Sequence, residues 1–171
     1  WGLDSSLAYK RHFPAINWLT SYSLYLDNME KWFNETVAPD WMAERQKMMS
    51  LLQDEAELEE IVKMVGMDAL SAGDRLKMEA ARSIREDFLH QNSFHEVDTY
   101  SSLKKQYMLM KLVIAYYEHG KEALEKGASI QSLVNLEVRE KIGRFKYVLE
   151  ENLDKEYKAV LGQLAKEISN V

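Results

Sequence analysis

Long stretches without proline or glycine, in which apolar residues recur every three or four positions, constrain this chain to form helices. Only two prolines and seven glycines occur in 171 residues. One helix face is marked by apolar residues at four-residue steps: Leu76, Ala80, Ile84 and Phe88. Two longer stretches show the same periodicity: Leu103, Tyr107, Met110, Ile114 and Tyr117, and then Phe145, Leu149, Leu153, Tyr157, Val160, Leu164 and Ile168. This spacing predicts an all-α fold with several long amphipathic helices.

Two local signals predict helix boundaries in the first half of the chain. Pro39 has the fixed φ and the missing N–H that suit the first position of a helix, and that helix is predicted to run toward Gly66. Ser71 and Asp74 have the spacing of a helix N-terminal cap. We therefore predict that residues 65–74 form a corner between two helices.

Glycine and serine mark a second predicted link, between the two later helices. Gly120 and Gly127 bracket a short charged stretch, which the pattern places outside the helices. Ser129 has one of the side chains that commonly cap a helix N-terminus, so it is predicted to begin a short helix.

The first 22 residues differ from the rest of the chain. Residues 9–18 combine aromatic residues, a proline and a basic cluster without any regular period. We therefore predict an irregular segment at residues 1–22 and a helical bundle domain at residues 23–171. The chain starts at Trp1 without a methionine or a signal peptide, which indicates a cut through a longer protein.

Composition excludes several classes of partner. The chain has 22 basic and 28 acidic residues, for a formal net charge of −6, which argues against nucleic acid as a main partner. There is no cysteine, so neither a disulfide nor a thiolate zinc site is possible. No apolar run approaches the roughly 20 residues that cross a bilayer, so direct membrane insertion is not expected.

Motifs for independent catalysis are also missing from the sequence. No stretch has the pattern G-x-x-x-x-G-K-[ST], whose backbone N–H groups and lysine hold nucleotide phosphates. The nearest approach to a di-metal bundle motif is Asp87-x-x-His90, with the wrong acid and without a second copy. The four histidines have no ligand-like spacing and are interpreted as surface or capping residues. The sequence thus predicts neither a catalytic residue nor a metal site.

Two further features allow both a structural and a binding interpretation. The acidic run at residues 54–60 could contact a basic partner, but its helical spacing favours a solvated helix face. A methionine-rich cluster could form an adaptable binding surface or belong to the core, since methionine packs well in both. Its members are Met48, Met49, Leu51, Leu52, Met64 and Met67.

Three stretches of the sequence resemble known proteins. Residues 7–25, LAYKRHFPAINWLTSYSLY, resemble the catalytic A subunit of archaeal and vacuolar-type rotary ATPases. Residues 66–71, GMDALS, followed by ARSIR at 81–85, look like the corner of the related F-type β subunit, where the acidic DELSEED loop touches the rotor. Residues 91–100, QNSFHEVDTY, resemble the archaeal form of the A subunit. The resemblance implies the C-terminal helical bundle of such a subunit.

The resemblance also implies roles for individual residues. Aromatic side chains from the matched region hold the adenine ring in this family, and Phe13 and Phe94 occupy those positions, with Phe88 in reserve. The corner would contact the rotor through Met67, Asp68, Ala69, Leu70, Ser71 and Asp74. Since two acids stand where the F-type motif has several, this contact would depend more on shape and apolar side chains than on ion pairs.

The implied partners are the B subunits of the hexameric head and the subunits of the central stalk. ATP or ADP with magnesium would bind to the full subunit, whereas this chain alone would hold no cofactor and would be inactive. The expected location is cytoplasmic and peripheral to the cell membrane. The alternative is a free-standing helical module that binds a partner helix through its methionine-rich face. Whether the enzyme synthesises or hydrolyses ATP depends on other subunits.

Overall fold

A computed structural model that describes all 171 residues confirms the all-α prediction. Its α-helices are α1 Ser5–Tyr9, α2 Leu26–Thr36, α3 Trp41–Val65, α4 Ala72–Ser83, α5 Leu103–Glu125, α6 Ile130–Val134, α7 Val138–Arg144 and α8 Leu153–Ile168. A π-helix, Ile84–Leu89, continues α4, and 3₁₀ turns lie at Met67–Ala69, Phe145–Tyr147 and Glu150–Asn152. The strands β1, Gly2–Leu3, and β2, Ile16–Asn17, form a short antiparallel ribbon.

The N-terminal segment is more regular than its sequence pattern predicts. The Asp4 carboxylate accepts a hydrogen bond from the Ser6 N–H at 2.8 Å and thereby caps α1. Its second oxygen accepts from the Asn17 side chain at 3.0 Å, which ties α1 to β2. One aspartate thus organises the segment through contacts that no periodicity reveals.

The long helix α3 begins two residues later than the prediction at Pro39, which was therefore wrong in detail. Asp40 precedes the first helical residue, and its carboxylate does not cap the helix. Instead it accepts hydrogen bonds from the Tyr107 hydroxyl at 2.6 Å and from Lys111 Nζ at 3.0 Å, both on α5. These contacts attach the turn that contains Pro39 to α5.

The corner between α3 and α4 has the predicted form. Gly66 ends α3 with a φ of +87°, a conformation that side chains rarely adopt. The Ser71 hydroxyl accepts a hydrogen bond from the Asp74 N–H at 3.1 Å, so the predicted cap of α4 is confirmed.

The predicted link after Gly120 was wrong, because this glycine lies inside α5. A Cβ at Gly120 would come within 3.2 Å of both methyl groups of Leu76, so the small residue permits α4 and α5 to approach closely. The link begins instead near Gly127, which has a φ of +102°. Ser129 accepts from the Ser132 N–H at 3.0 Å and begins α6 as predicted.

The bundle core is built mainly from α3, α4, α5, α7 and α8. Its completely buried side chains include Leu76, Ile84, Leu112, Tyr116, Phe145 and Leu164. The last helix, α8, is shorter than the apolar spacing predicts, because Phe145 and Leu149 lie before its first residue. None of the helices is both long enough and apolar enough to span a membrane.

Candidate functional site

The aromatic residues Phe13 and Phe94 lie on two segments that are hydrogen-bonded to each other. The Gln91 N–H donates to the Phe13 carbonyl at 2.8 Å, although 78 positions separate them in the chain. The Phe94 side chain is 97% exposed and that of Phe13 is 49% exposed. Phe88 instead packs partly buried against the bundle core. Two adjoining segments therefore present exposed aromatic rings, whose flat faces are suited to stacking on a planar ligand.

The loop at residues 90–102 carries Phe94 between the π-helix and α5. The Asn92 side-chain oxygen accepts from the Phe94 N–H at 3.0 Å, which turns the chain at the loop tip. His95 Nδ1 accepts from the Val97 and Asp98 N–H groups at 3.1 and 3.3 Å, so this histidine caps a turn. The His95 ring also lies 4.4 Å from the Tyr147 ring, centre to centre. The exposed phenylalanine is thus held on an ordered loop.

The corner residues form a second exposed surface. Met67, Asp68, Ala69 and Ser71 are exposed, whereas Leu70 and Asp74 are half-buried. Three more apolar residues at the end of α3 are exposed beside them: Ile61, Met64 and Val65. The corner consequently offers apolar contact area with few charges.

The methionine-rich cluster is divided between the core and this corner. Met48 and its neighbours Leu51 and Leu52 are buried, whereas Met64 and Met67 are exposed. The core interpretation therefore holds for the buried members, whereas a binding surface stays a prediction for the exposed methionines.

An ion pair joins α3 to the π-helix and corrects the prediction for one residue of the acidic run, Glu55, whereas Glu57, Glu59 and Glu60 are exposed as predicted. Glu55 is only 4% exposed, whereas the sequence pattern predicts a solvated face. The Arg85 guanidinium donates to both Glu55 oxygens, with Nε at 3.1 and 2.9 Å and a terminal nitrogen at 2.9 Å. Burial raises the pKa of Glu55, and Arg85 acts in the opposite direction. The pair fixes the helix that leads into the Phe94 loop.

A cavity of about 350 Å³ lies beside this pair, between the N-terminal segment and α3. The rings of His12 and His90 are 5.4 Å apart at its edge. Burial lowers the pKa of His12, and the nearby His90 and Arg85 lower it further. Periodicity could not predict this pairing, because the two histidines come from distant segments.

Comparison with known proteins identifies the family of this chain. A family model described as the C-terminal domain of V and A type ATP synthase matches residues 30–134, which is more than half of the chain. The chain belongs to this family. A C-terminal V/A-type ATP synthase domain is also what residues 7–25, 66–71 and 91–100 predict through their resemblance, so that prediction is confirmed.

Several curated relatives are similar to this chain along almost its whole length. The V-type ATP synthase alpha chain of Acetivibrio thermocellus is 60% identical over 168 residues, which is 98% of this chain and 28% of the relative. Alpha chains of Clostridium botulinum (strain Okra / Type B1) and Clostridium perfringens (strain SM101 / Type A) are 61% and 58% identical over 154 and 155 residues. Those alignments cover 90% and 91% of this chain and 26% of each relative. The chain thus spans about a quarter of the length of these relatives.

Proposed function

We propose that this chain is the C-terminal helical part of the catalytic alpha chain of a V/A-type ATP synthase, and that it couples the nucleotide state of the head to rotation of the central stalk and ion transport. The observation that carries the proposal is the 60% identity to a V-type ATP synthase alpha chain along 98% of this chain. In the assembled enzyme the domain would contact B subunits of the head. It would lie on the cytoplasmic side, peripheral to the membrane.

Phe13 and Phe94 contribute part of the adenine pocket in this proposal. The exposed rings and the hydrogen bond between their segments support it, because stacking requires only flat faces held in place. Phe88 is a weaker candidate, since its ring packs on the core. No three acidic or histidine side chains of the 171 residues are arranged to hold a metal ion. Magnesium and the phosphates would be held by the rest of the subunit, as the resemblance to rotary ATPases implies.

The corner of residues 66–74 serves as the rotor contact. Its exposed Met67 and the neighbouring exposed Met64 support a contact through apolar surface rather than through ion pairs, which contribute little at exposed sites. Because α4 runs from this corner into the π-helix and the Phe94 loop, displacement of the corner can be transmitted toward the proposed nucleotide pocket.

A cross-linking experiment tests the rotor contact. Cysteine substituted for the exposed Ala69 or Ala72 in the assembled enzyme is expected to form a disulfide with a cysteine in the central stalk under mild oxidation. Cysteine at the exposed Gly162 on α8, outside the corner, provides a control for random collision. If every position from Asp68 to Asp74 cross-links no better than this control, the corner does not contact the rotor.

The chain alone is expected to show no ATP hydrolysis above the uncatalysed background. It lacks a phosphate-binding loop, and adenine stacking without phosphate contacts supplies only a small part of the binding free energy of a nucleotide. Phosphate release by the purified chain, compared with the full-length subunit in the assembled enzyme, measures this. Turnover that co-purifies with the chain through successive columns would contradict the expectation.

The free-standing interaction module is the weaker alternative. Its proposed binding face requires a continuous methionine-rich surface, but Met48 is buried together with Leu51 and Leu52. Only the exposed end of α3 remains available, and that end adjoins the corner. The relatives are also several times longer than this chain.

A further inference from the structure

We propose that Asp98 is a positioning residue for nucleotide binding, whose carboxylate holds the loop that carries Phe94 in one fixed arrangement. The inference rests on the proposed function, because it assumes that Phe94 contacts the adenine. Asp98 itself is 4% exposed and does not belong to the exposed aromatic surface. Its role would therefore be exerted through the loop.

The Asp98 carboxylate closes the base of the Phe94 loop. Its Oδ2 accepts a hydrogen bond from the Asn92 N–H at 2.7 Å, across six positions of the chain. Asn92 in turn uses its side-chain oxygen to accept from the Phe94 N–H at 3.0 Å. Asp98 thus fixes the backbone of the residue whose side chain fixes the backbone of Phe94.

Gln91 extends this network to the segment that carries Phe13. Its side-chain amide donates to the Asp98 carbonyl at 2.7 Å and to the Thr99 carbonyl at 3.3 Å. Its own backbone N–H donates to the Phe13 carbonyl at 2.8 Å. Both ends of the loop and the Phe13 segment therefore meet at Gln91.

The rest of the bundle supports the same network from behind. Lys146 Nζ donates to the carbonyls of Glu86 and His90 at 3.2 and 3.1 Å, where the π-helix ends and the loop begins. Lys146 and Asp98 also line a cavity of about 230 Å³ together with Pro14, next to Phe13. A binding site functions best when its contact residues are held by such supporting hydrogen bonds, since small displacements remove the contact.

The charge of Asp98 suits this position. A carboxylate accepts stronger hydrogen bonds from backbone N–H groups than a neutral oxygen does. Glu96 lies two positions away and is exposed, so it provides a natural comparison within the same loop. If loop charge alone mattered, the two residues would be equivalent.

The test measures ATP hydrolysis by the assembled enzyme with the full-length subunit. Asp98→Leu is expected to raise KM for ATP about fivefold, near the lower end of the effect of one lost base-stacking contact, with kcat changed less than about twofold. Gln91→Met should also raise KM, because it keeps the side-chain length but removes the amide donor. Asp98→Asn keeps an oxygen acceptor and should stay within about twofold of wild type. Glu96→Leu should leave KM unchanged.

The decisive comparison combines these variants with Phe94→Ala. A residue that acts through Phe94 should add less than about a further twofold to KM once the ring is gone, whereas independent effects multiply. Multiplying effects would overturn the positioning role and leave the adenine contact intact. The same conclusion follows if KM is unchanged in both Asp98→Leu and Gln91→Met while Phe94→Ala raises it. An unchanged KM in Phe94→Ala would instead refute the adenine contact, and the positioning role with it. If Asp98→Leu does not assemble, Gln91→Met and its Phe94→Ala double variant decide the question.

Discussion

Replacing Arg85 by alanine is expected to lower the free energy of unfolding of this chain by about 3 kcal/mol at neutral pH. Glu55 is 4% exposed and Arg85 supplies three short hydrogen bonds to its two oxygens. Without the guanidinium, a buried carboxylate loses its only ion-pair partner, and its desolvation is no longer compensated. Urea unfolding followed by circular dichroism measures the change.

The stability lost in Arg85→Ala is expected to depend on pH. Burial raises the pKa of Glu55 even with Arg85 present, and removing Arg85 raises it further. The folded state then binds a proton more tightly than the unfolded state, so the free energy of unfolding increases as pH falls from the folded pKa toward the ordinary value of about 4.3. The difference between wild type and Arg85→Ala should therefore be largest at neutral pH and shrink as the pH falls toward that value.

Two control variants separate burial from ion pairing as such. Arg82 also contacts a glutamate, Glu86, at 3.1 Å, but both side chains are more than half exposed. Arg82→Ala should cost no more than about 0.5 kcal/mol. The double variant Arg85→Met with Glu55→Leu removes both charges and should lie within about 1 kcal/mol of wild type or above it. Equal losses in Arg85→Ala and Arg82→Ala would show that burial of Glu55 does not matter.

Periodicity predicts the helices of this bundle well, and the misplaced boundaries have a common physical cause. The apolar spacing from Leu76 corresponds to α4 and the π-helix, and the spacing from Leu103 corresponds to α5. Gly120 was misplaced because a glycine that ends a helix and one that admits a neighbouring leucine look the same in sequence. The burial of Glu55 could not be predicted, because its partner, Arg85, lies 30 positions away. Local patterns carry no information about such long-range contacts.

The candidate site depends on different information. Phe13 and Phe94 follow from the family resemblance, and neither has a local signal that separates it from an ordinary core phenylalanine. The hydrogen bond that joins their segments could not be predicted, because it uses backbone groups, which every residue has. Their exposure is likewise a tertiary property, since it depends on which helices cover the surrounding surface. The turn at the corner could be predicted, because a glycine and a serine cap specify it locally.

Phe94→Ala in the full-length subunit is expected to raise KM for ATP far more than it changes kcat. One aromatic stacking contact with a base contributes about 1–3 kcal/mol, which corresponds to about 5- to 150-fold in KM. Phe94 does no chemistry in this proposal, so ground state and transition state should lose the contact equally and kcat should persist. Steady-state hydrolysis by the assembled enzyme over a range of ATP concentrations measures both constants.

Because Phe94 is exposed, the experiment separates a loss of nucleotide binding from a loss of folding. A residue that is 97% exposed packs against little of this domain, so its removal should leave the stability of the domain nearly unchanged. Phe94→Tyr keeps a flat ring and should retain a KM close to that of wild type. Tyr100→Ala removes a ring of similar exposure, 85%, from the other end of the same loop and should have no effect on KM. An alanine at Phe94 that behaves like the alanine at Tyr100 would mean that adenine does not stack on this loop.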